Sequence, residues 1–256
     1  MVASKRPLLC CLRGKLGSLL VRIKNPMLPE IERNNWSIVL IGSFNPAIFH
    51  PSWFLVNEVI SKETAESAEV HVVHSEVASV ALGPLRLDVQ RNRFSLQTEQ
   101  SPEISLLDFV LRVFGDLLPH SQITQFGINR TVYFRAPSSV RRTQLGRTFA
   151  PTNPWGAFGE RIEGSQGVTL GGMTNVSMRE VLVEAGWSGH CEARLMPAYE
   201  IDADTGIQTH VNNHFELKDY KEGDGAMAAL EVLKNEFEPR MERCEEIILA
   251  VLGHLE

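Results

Sequence analysis

The chemically capable side chains are densest in Thr209–Leu217, whose sequence is THVNNHFEL. Successive side chains of a β-strand point to opposite faces of the sheet. If this run is a strand, its polar members therefore share one face: His210, Asn212, His214 and Glu216. Imidazole and carboxylate groups collected in this way could perform acid–base catalysis, bind a small ligand or bind a metal ion.

The spacing of these residues argues against a metal ion held within this one strand. His210 and His214 would lie about 13 Å apart at ~3.4 Å per residue, too far to share one zinc ion. His214 and Glu216, about 7 Å apart, could converge only with a group from another strand. We therefore expect no metal and no cofactor. A hydrogen-bonding polar face is favoured, and His214, Glu216 and His210 stay weak catalytic candidates.

A second candidate site is Gly127–Arg130, which lies inside a predicted strand. Glycine weakens a strand, so it indicates either a bulge or a place where a ligand approaches the backbone beside Asn129 and Arg130. A basic cluster interleaved with aromatic residues continues downstream to Arg147. It predicts either a solvated face or a site for phosphate, RNA or an acidic partner. The candidate ligands of such a site are Asn129, Arg130, Arg141 and Arg142.

Charge argues against general nucleic-acid binding. The 256-residue chain has a net charge of −6, but residues 1–26 hold six basic residues and no acidic one. The remainder carries 19 basic and 31 acidic residues, a net charge of −12. Because non-specific nucleic-acid affinity comes mainly from basic side chains that neutralise phosphates, an acidic body is a poor general binder. Residues 1–26 are predicted to be a mobile basic tail or an untranslated leader.

The motif search gives no known catalytic constellation. The sequence has no GxSxG, HExxH or P-loop motif. Its four cysteines are Cys10, Cys11, Cys191 and Cys244, none in a zinc-binding spacing, so free thiols in a reducing cytosol are expected. No run of about 18 uncharged apolar residues exists, and no membrane span is therefore predicted. The expected localisation is cytoplasmic.

Several elements must position these residues. Trp36–Gly42 reads as a strand, and Ser52 is expected to cap the helix that follows Pro51. The stretch from Glu69 to Gly83 reads as one strand, followed by a hairpin at 85–89 and 93–98. A helix is predicted over 101–119, with Ser101 as its cap and Pro102 in its first position.

The second part of the chain follows the same order. A strand over 123–134 leads to a short basic helix at 138–149. Three strands at about 168–184, 190–201 and 207–217 come next, and a final helix at about 225–254 is expected to kink at Pro239. The fold class is therefore α+β: two similar β-α-β-β-β-α halves, residues 27–120 and 121–256, with antiparallel sheets covered on one face by helices.

The final helix carries more apolar surface than half of a small domain usually needs. We predict that part of it binds a protein partner or a second copy, through Leu230, Leu233, Phe237, Ile248 and Leu252. The runs Ile41–Pro51, Gly127–Arg130 and Asn212–Glu216 resemble bacterial proteins without an assigned activity, and this resemblance implies no catalytic residue.

Three functional hypotheses follow. The first is a non-enzymatic assembly or adaptor subunit of a cytoplasmic, bacterial multi-protein complex such as a defence system. The second is an enzyme or small-ligand-binding protein with its site on the His210/His214 strand face, which predicts that Asn129 or Arg130 lies near that face. The third is RNA binding through the Arg130–Arg147 segment, which predicts an affinity that falls with salt.

Overall fold

The computed structural model describes residues 29–164, 171–218, 220–221 and 223–255. The basic segment 1–26, with Cys10 and Cys11, and the beginning of the strand expected at 168–184 lie outside the described residues. Among the residues that are described, no helix is long and apolar enough to cross a membrane. Both described cysteines, Cys191 and Cys244, are buried free thiols.

The described residues form nine strands and six α-helices. The strands are β1 (Ile31–Gly42), β2 (Glu69–Val73), β3 (Val77–Leu82), β4 (Leu85–Gln90), β5 (Arg93–Thr98), β6 (Ile123–Arg135), β7 (Val176–Val183), β8 (Trp187–Pro197) and β9 (Gly206–Leu217). The helices are α1 (Pro51–Val56), α2 (Lys62–Glu66), α3 (Ile104–Leu111), α4 (Ser139–Phe149), α5 (Ala157–Glu163) and α6 (Met227–Leu252). A π-helical segment, Arg112–Leu117, extends α3.

All nine strands belong to one sheet, in the order β2-β3-β4-β5-β1-β6-β9-β8-β7. Every neighbouring pair is antiparallel. The α+β class with antiparallel pairing is thus confirmed, but the separate sheets expected for the two parts of the chain are in fact a single sheet. The long pairing of β1 with β6, from Ile31–Phe134 to Gly42–Ile123, joins them.

The helices cover one face of this sheet because alternate side chains of each strand are apolar. On β1 these are Trp36, Ile38 and Leu40, all buried, while the residues between them are only partly buried. The larger apolar core joins β1, β3, β4, β5, β6 and β9 to α1, α3 and the first half of α6. A smaller core joins β6, β8 and β9 to α4 and the end of α6.

Several local expectations were wrong, each because a local contact differs from the one assumed. His74, Ser75 and Glu76 form a turn closed by the Val77 carbonyl and the His74 amide (2.8 Å), so Glu69–Leu82 makes two strands, not one. His50, not Ser52, caps α1, because its Nδ1 accepts a hydrogen bond from the Ser52 amide (3.2 Å).

The start of α3 also differs from the expectation. The Thr98 hydroxyl donates to the Pro84 carbonyl (3.0 Å) and accepts from the Gln100 amide (3.1 Å). These bonds hold the chain against the start of β4. The helix begins only at Ile104, and no side chain caps it. In contrast, α6 runs as one helix through Pro239.

The partner surface expected on α6 is not available in this fold. The five residues assigned to it are at most 3% exposed and contribute to the two cores: Leu230, Leu233, Phe237, Ile248 and Leu252. The long helix α6 packs against its own chain: it contacts β6 and β9 and reaches both apolar cores. The apolar surface that suggested an interface is the surface that holds α6 on its own sheet.

Truncation of a residue on this buried side of α6 should therefore lower stability. We expect Leu233→Ala to reduce the free energy of unfolding by about 2–5 kcal/mol, because it leaves a cavity in the larger core. Leu249 is 44% exposed on the same helix, and Leu249→Ala should cost about 0.5 kcal/mol or less. Urea denaturation of both variants measures the difference. Equal losses would contradict this orientation of α6.

A buried ion pair between the sheet and α6 provides a second test of how this helix packs. Arg130 is 8% exposed, and its guanidinium donates to Glu245 of α6 and to Asn34 Oδ1 (3.1 Å). It also lies over the Trp36 ring, 5.5 Å from the centroid. Glu245→Ala leaves this buried cation without its carboxylate, which should cost about 1–3 kcal/mol.

The matched control for that variant is Glu246→Ala. Glu246 is the next residue of α6, and its carboxylate pairs with Arg243 at 3.5 Å while 69% of the side chain is exposed. Exposed pairs of this kind contribute about 0–1 kcal/mol. A loss at Glu246 as large as that at Glu245 would show that helix propensity, not the buried pair, sets the effect.

Candidate functional site

The face of the sheet that the helices leave uncovered, here called the open face, carries the polar alternate residues of the strands. Five strands in the middle of the sheet supply most of them: β5, β1, β6, β9 and β8. On β9 the burial alternates, with Ile207, Thr209, Val211, Asn213 and Phe215 buried on the helix side. His210, Asn212 and His214 are partly buried on the open face, and Glu216 is exposed.

Two adjoining cavities run across the open face, so the face is concave. Their volumes are about 720 Å³ and 570 Å³. Four residues line both cavities and join them into one groove: Asn35, Gln97, Thr131 and His210. This composite cavity, here called the groove, is lined mainly by amide, hydroxyl, imidazole and guanidinium groups.

The registers of six strand pairs place seven polar side chains side by side across the open face. This central row consists of Arg179, Glu192, Asn212, Asn129, Ser37, Gln97 and Arg86. Directly opposite residues of antiparallel strands have Cβ atoms about 4.5–5.5 Å apart. The row is therefore a continuous series of hydrogen-bonding groups, charged at its ends and neutral in the middle.

Asn129 lies at the middle of the central row and is only 9% exposed. Its Nδ2 donates to Ser37 Oγ at 3.2 Å, but its Oδ1 is buried and accepts no hydrogen bond. A buried carbonyl oxygen without a donor costs about 1–3 kcal/mol, so such atoms are uncommon and point to a missing partner. A donor on a bound molecule would satisfy it.

Gly127 leaves space beside this amide. It pairs in regular register with Val39 and with His214, so the bulge expected there is absent. A Cβ atom at Gly127 would lie 3.5 Å from the Asn129 amide and 3.5 Å from Asn212 Oδ1. The glycine therefore keeps open the floor of the groove between two amide side chains.

The predicted ligand residues separate onto two faces. Asn129 faces the groove opposite Asn212, whereas Arg130 points to the helix side and pairs with Glu245. Arg141 and Arg142 lie on α4, where Arg142 donates to the Ala203 carbonyl (2.8 Å) and Arg141 to Gln144 Oε1 (3.2 Å). The candidates from the basic cluster thus do not form one site.

Arg135, another member of that basic cluster, is balanced by nearby acids. It pairs with Glu32 at 2.5 Å and with Asp202 at 3.4 Å. Hydrogen bonds from Thr205 and from the Asp204 amide, and to a smaller extent the Arg135 charge, lower the pKa of Asp202, which stays ionised beside the arginine. This segment therefore offers less uncompensated positive charge than its sequence suggested.

Two arginines on the open face are likewise paired. Arg33 contacts Glu99 at 3.1 Å, and Arg194 contacts Glu192 at 3.0 Å. Hydrogen bonds from Arg179, then from Arg194, lower the pKa of Glu192. The charged residues that line the groove are four arginines and one glutamate, Arg33, Arg86, Arg93, Arg194 and Glu99, and Glu192 lies beside Arg194.

The imidazoles on this face differ in their surroundings. His210 Nδ1 and the Thr131 hydroxyl are hydrogen-bonded at 2.8 Å. Burial, and secondarily the charge of Arg194, lower the pKa of His210. His214 lies directly opposite His190 of β8, with ring centroids 5.0 Å apart. Within the described part of the chain, no group of three or more potential metal ligands occurs.

Three residues of this site could not be assigned to it from the sequence. His190 has no chemical neighbour in sequence, so only the β8–β9 register pairs it with His214. The sequence predicted that Ser37 and Gln97 lie on strands, but the face of the sheet that each side chain occupies was not predicted. Alternation within Trp36–Gly42 and within the 93–98 strand was the available signal, but it could not show that the two strands are neighbours.

No protein-family model and no curated protein matches this chain.

The pKa of His210 leads to a prediction about stability and pH. Because the pKa in the folded chain lies below the ordinary value of 6.5, the unfolded chain binds a proton more readily. Stability should therefore fall as the pH drops through about 6.5 toward the lower folded-state pKa. His210→Gln, which cannot titrate there, should show a smaller loss between about pH 7 and pH 5.

Urea midpoints measured across that pH range test this expectation. His71→Gln is the matched control, because His71 is exposed on β2. His190 should contribute in the same direction, since burial, Arg179 and His214 lower its pKa. An unchanged pH profile in His210→Gln would show that the neutral imidazole is not required by the fold.

Proposed function

We propose that this protein is a non-enzymatic adaptor subunit whose groove binds a polypeptide segment of a partner protein in a multi-protein complex. The observation that carries the proposal is Asn129 at the centre of the groove, with a buried carbonyl oxygen that lacks a donor. A backbone N–H of a bound segment is one donor that would satisfy this atom, once the side chains that cover the oxygen move aside. The adjoining amide of Asn212 extends the same type of contact.

The shape and lining of the groove support an extended, polar occupant. The central row crosses seven strands at about 4.8 Å per strand, a span of roughly 29 Å. A typical small-ligand pocket is mostly apolar with few polar groups, whereas here polar groups predominate. Peptide backbones supply donors and acceptors along their whole length, and side chains of either charge can meet the paired ends of the row.

The charge of the groove suits a partner segment that contains acidic residues. On the open face, Arg33 contacts Glu99, while Arg194 and Arg179 share the carboxylate of Glu192. Ion pairing therefore reduces the positive charge of this face without removing it. Nucleic-acid affinity depends on unpaired basic side chains, so this pairing also lowers the charge available to a phosphate backbone.

An internal duplication is part of the proposal. In the first half of the chain, β1 is followed by strands that return to pair with it, in the order β2-β3-β4-β5-β1. In the second half, β6 is followed by β7, β8 and β9, which return to β6 in the same manner. Asn129 and Ser37 come from β6 and β1, so the centre of the groove lies where the two proposed repeats meet.

Site-specific photo-crosslinking in the native cells tests this function. A photoreactive residue in place of Gln97, which lines both cavities, should crosslink to one contiguous segment of one protein. The same residue in place of Leu249, on the outer side of α6, is the matched control. Equal crosslinking at both positions, or crosslinks only to small molecules, would reject the proposal.

The identified segment then allows a quantitative test. A synthetic peptide of that sequence should bind the purified protein, and Asn129→Leu should weaken its binding by about tenfold or more, the equivalent of one lost buried hydrogen bond. Fluorescence anisotropy measures the affinity, and circular dichroism confirms that the variant is folded. Unchanged affinity in a folded Asn129→Leu protein would contradict the assigned position of the segment.

A further inference from the structure

A pair of imidazoles lies at the β8–β9 end of the open face. His190 and His214 are directly opposite each other in register, and both are partly exposed. Their ring centroids are 5.0 Å apart and the ring planes differ by 35°. Among the described residues, neither ring has a hydrogen-bonding partner, whereas His210 on the same face is bonded to Thr131. The ring nitrogens of the pair are thus available to a ligand.

The separation of the two rings fits a tetrahedral metal ion. With metal–nitrogen distances of about 2.05 Å and an angle of ~109°, two imidazoles on one ion have ring centroids about 5.1 Å apart. A right angle between the ligands, as in square-planar or octahedral coordination, would bring the centroids to about 4.5 Å. The observed 5.0 Å is compatible with two imidazoles on one tetrahedral ion, and directly opposite residues of antiparallel strands are ordinarily this close. Zinc is the common divalent ion with that preference.

We propose that His190 and His214 form a binding site for a zinc ion, with its remaining coordination positions open toward the groove. The site differs from the one rejected from sequence, because its ligands come from two neighbouring strands and not from positions four residues apart on β9. This inference does not depend on the proposed adaptor function.

The neighbours of the pair determine where the open positions lie. Gly127 is opposite His214 on β6, and Val181 is opposite His190 on β7. Gly127 has no side chain, so the side of His214 toward Asn129 is unobstructed, and His214 and Gly127 line the same cavity. Water, or an atom of a molecule in the groove, can complete the coordination from that side.

Two charged side chains lie near the pair on the open face. The Arg179 guanidinium itself is engaged by Glu192 at 2.6 Å. Glu216, two residues from His214 on the same face, contributes a negative charge opposite Ser188.

Zinc titration of the full chain tests the site. Cys10 and Cys11 are first replaced by serine, because thiols could bind zinc independently. In this background, isothermal titration calorimetry of the metal-free protein should give one zinc ion per chain. His190→Ala and His214→Ala, singly and together, should each weaken binding by more than about tenfold. His71→Ala with His74→Ala removes two exposed histidines of the β2 hairpin and should leave the affinity unchanged.

Cobalt(II) distinguishes coordination from a secondary effect of the substitutions. The wild-type chain should show the intense visible absorption of tetrahedral cobalt, and the His190→Ala/His214→Ala chain should not, while circular dichroism shows both to be folded. Equal zinc affinity in that double variant, or absence of stoichiometric binding in the parent, would overturn the proposal. Asn129→Leu should bind zinc as the parent does, so failure of the adaptor function and failure of the metal site can be told apart.

Discussion

The antiparallel pairing of β1 with β6 is the constraint on which the rest of the structure depends. Each strand is long, with 12 and 13 residues, and each lies at the inner edge of the strands contributed by its own half. Their hydrogen bonds turn two small groups of strands into one sheet with a common helix side and a common open side. Without this pairing, Ser37 and Asn129 would not meet and the groove would have no centre.

The two faces of the sheet use different physical interactions. On the helix side, burial of apolar side chains stabilises the fold, and the buried cation Arg130 is held by a carboxylate, an amide and an indole ring. On the open side, hydrogen-bonding groups are crowded and half-buried, and the described residues do not satisfy all of them. Two buried polar atoms on the helix side, Thr209 Oγ1 and Asn213 Oδ1, also have no partner among the described residues.

Local patterns in the sequence predicted which helices and strands form better than they predicted which of these elements lie side by side. The alternation in Thr209–Leu217 correctly separated a polar from an apolar side, because side-chain direction in a strand depends only on the period of two. The pairing of His214 with His190 could not be predicted, since it depends on the register between strands joined by the long 198–205 connection. Likewise, the apolar positions of α6 were recognised, but their partner was the sheet of the same chain, a long-range contact that no helical pattern encodes.

The division of each strand between two faces has an evolutionary consequence. The residues that hold the helices and the residues that line the groove alternate along the same strands, so they can change independently. Substitution at every second position would alter the lining of the groove and leave the core beneath it intact. A single inserted residue within β9 would instead exchange the two sets and expose Val211 and Phe215. Descendants of this fold can therefore change the chemistry of the open face through point substitutions, while strand length in the middle of the sheet stays constant.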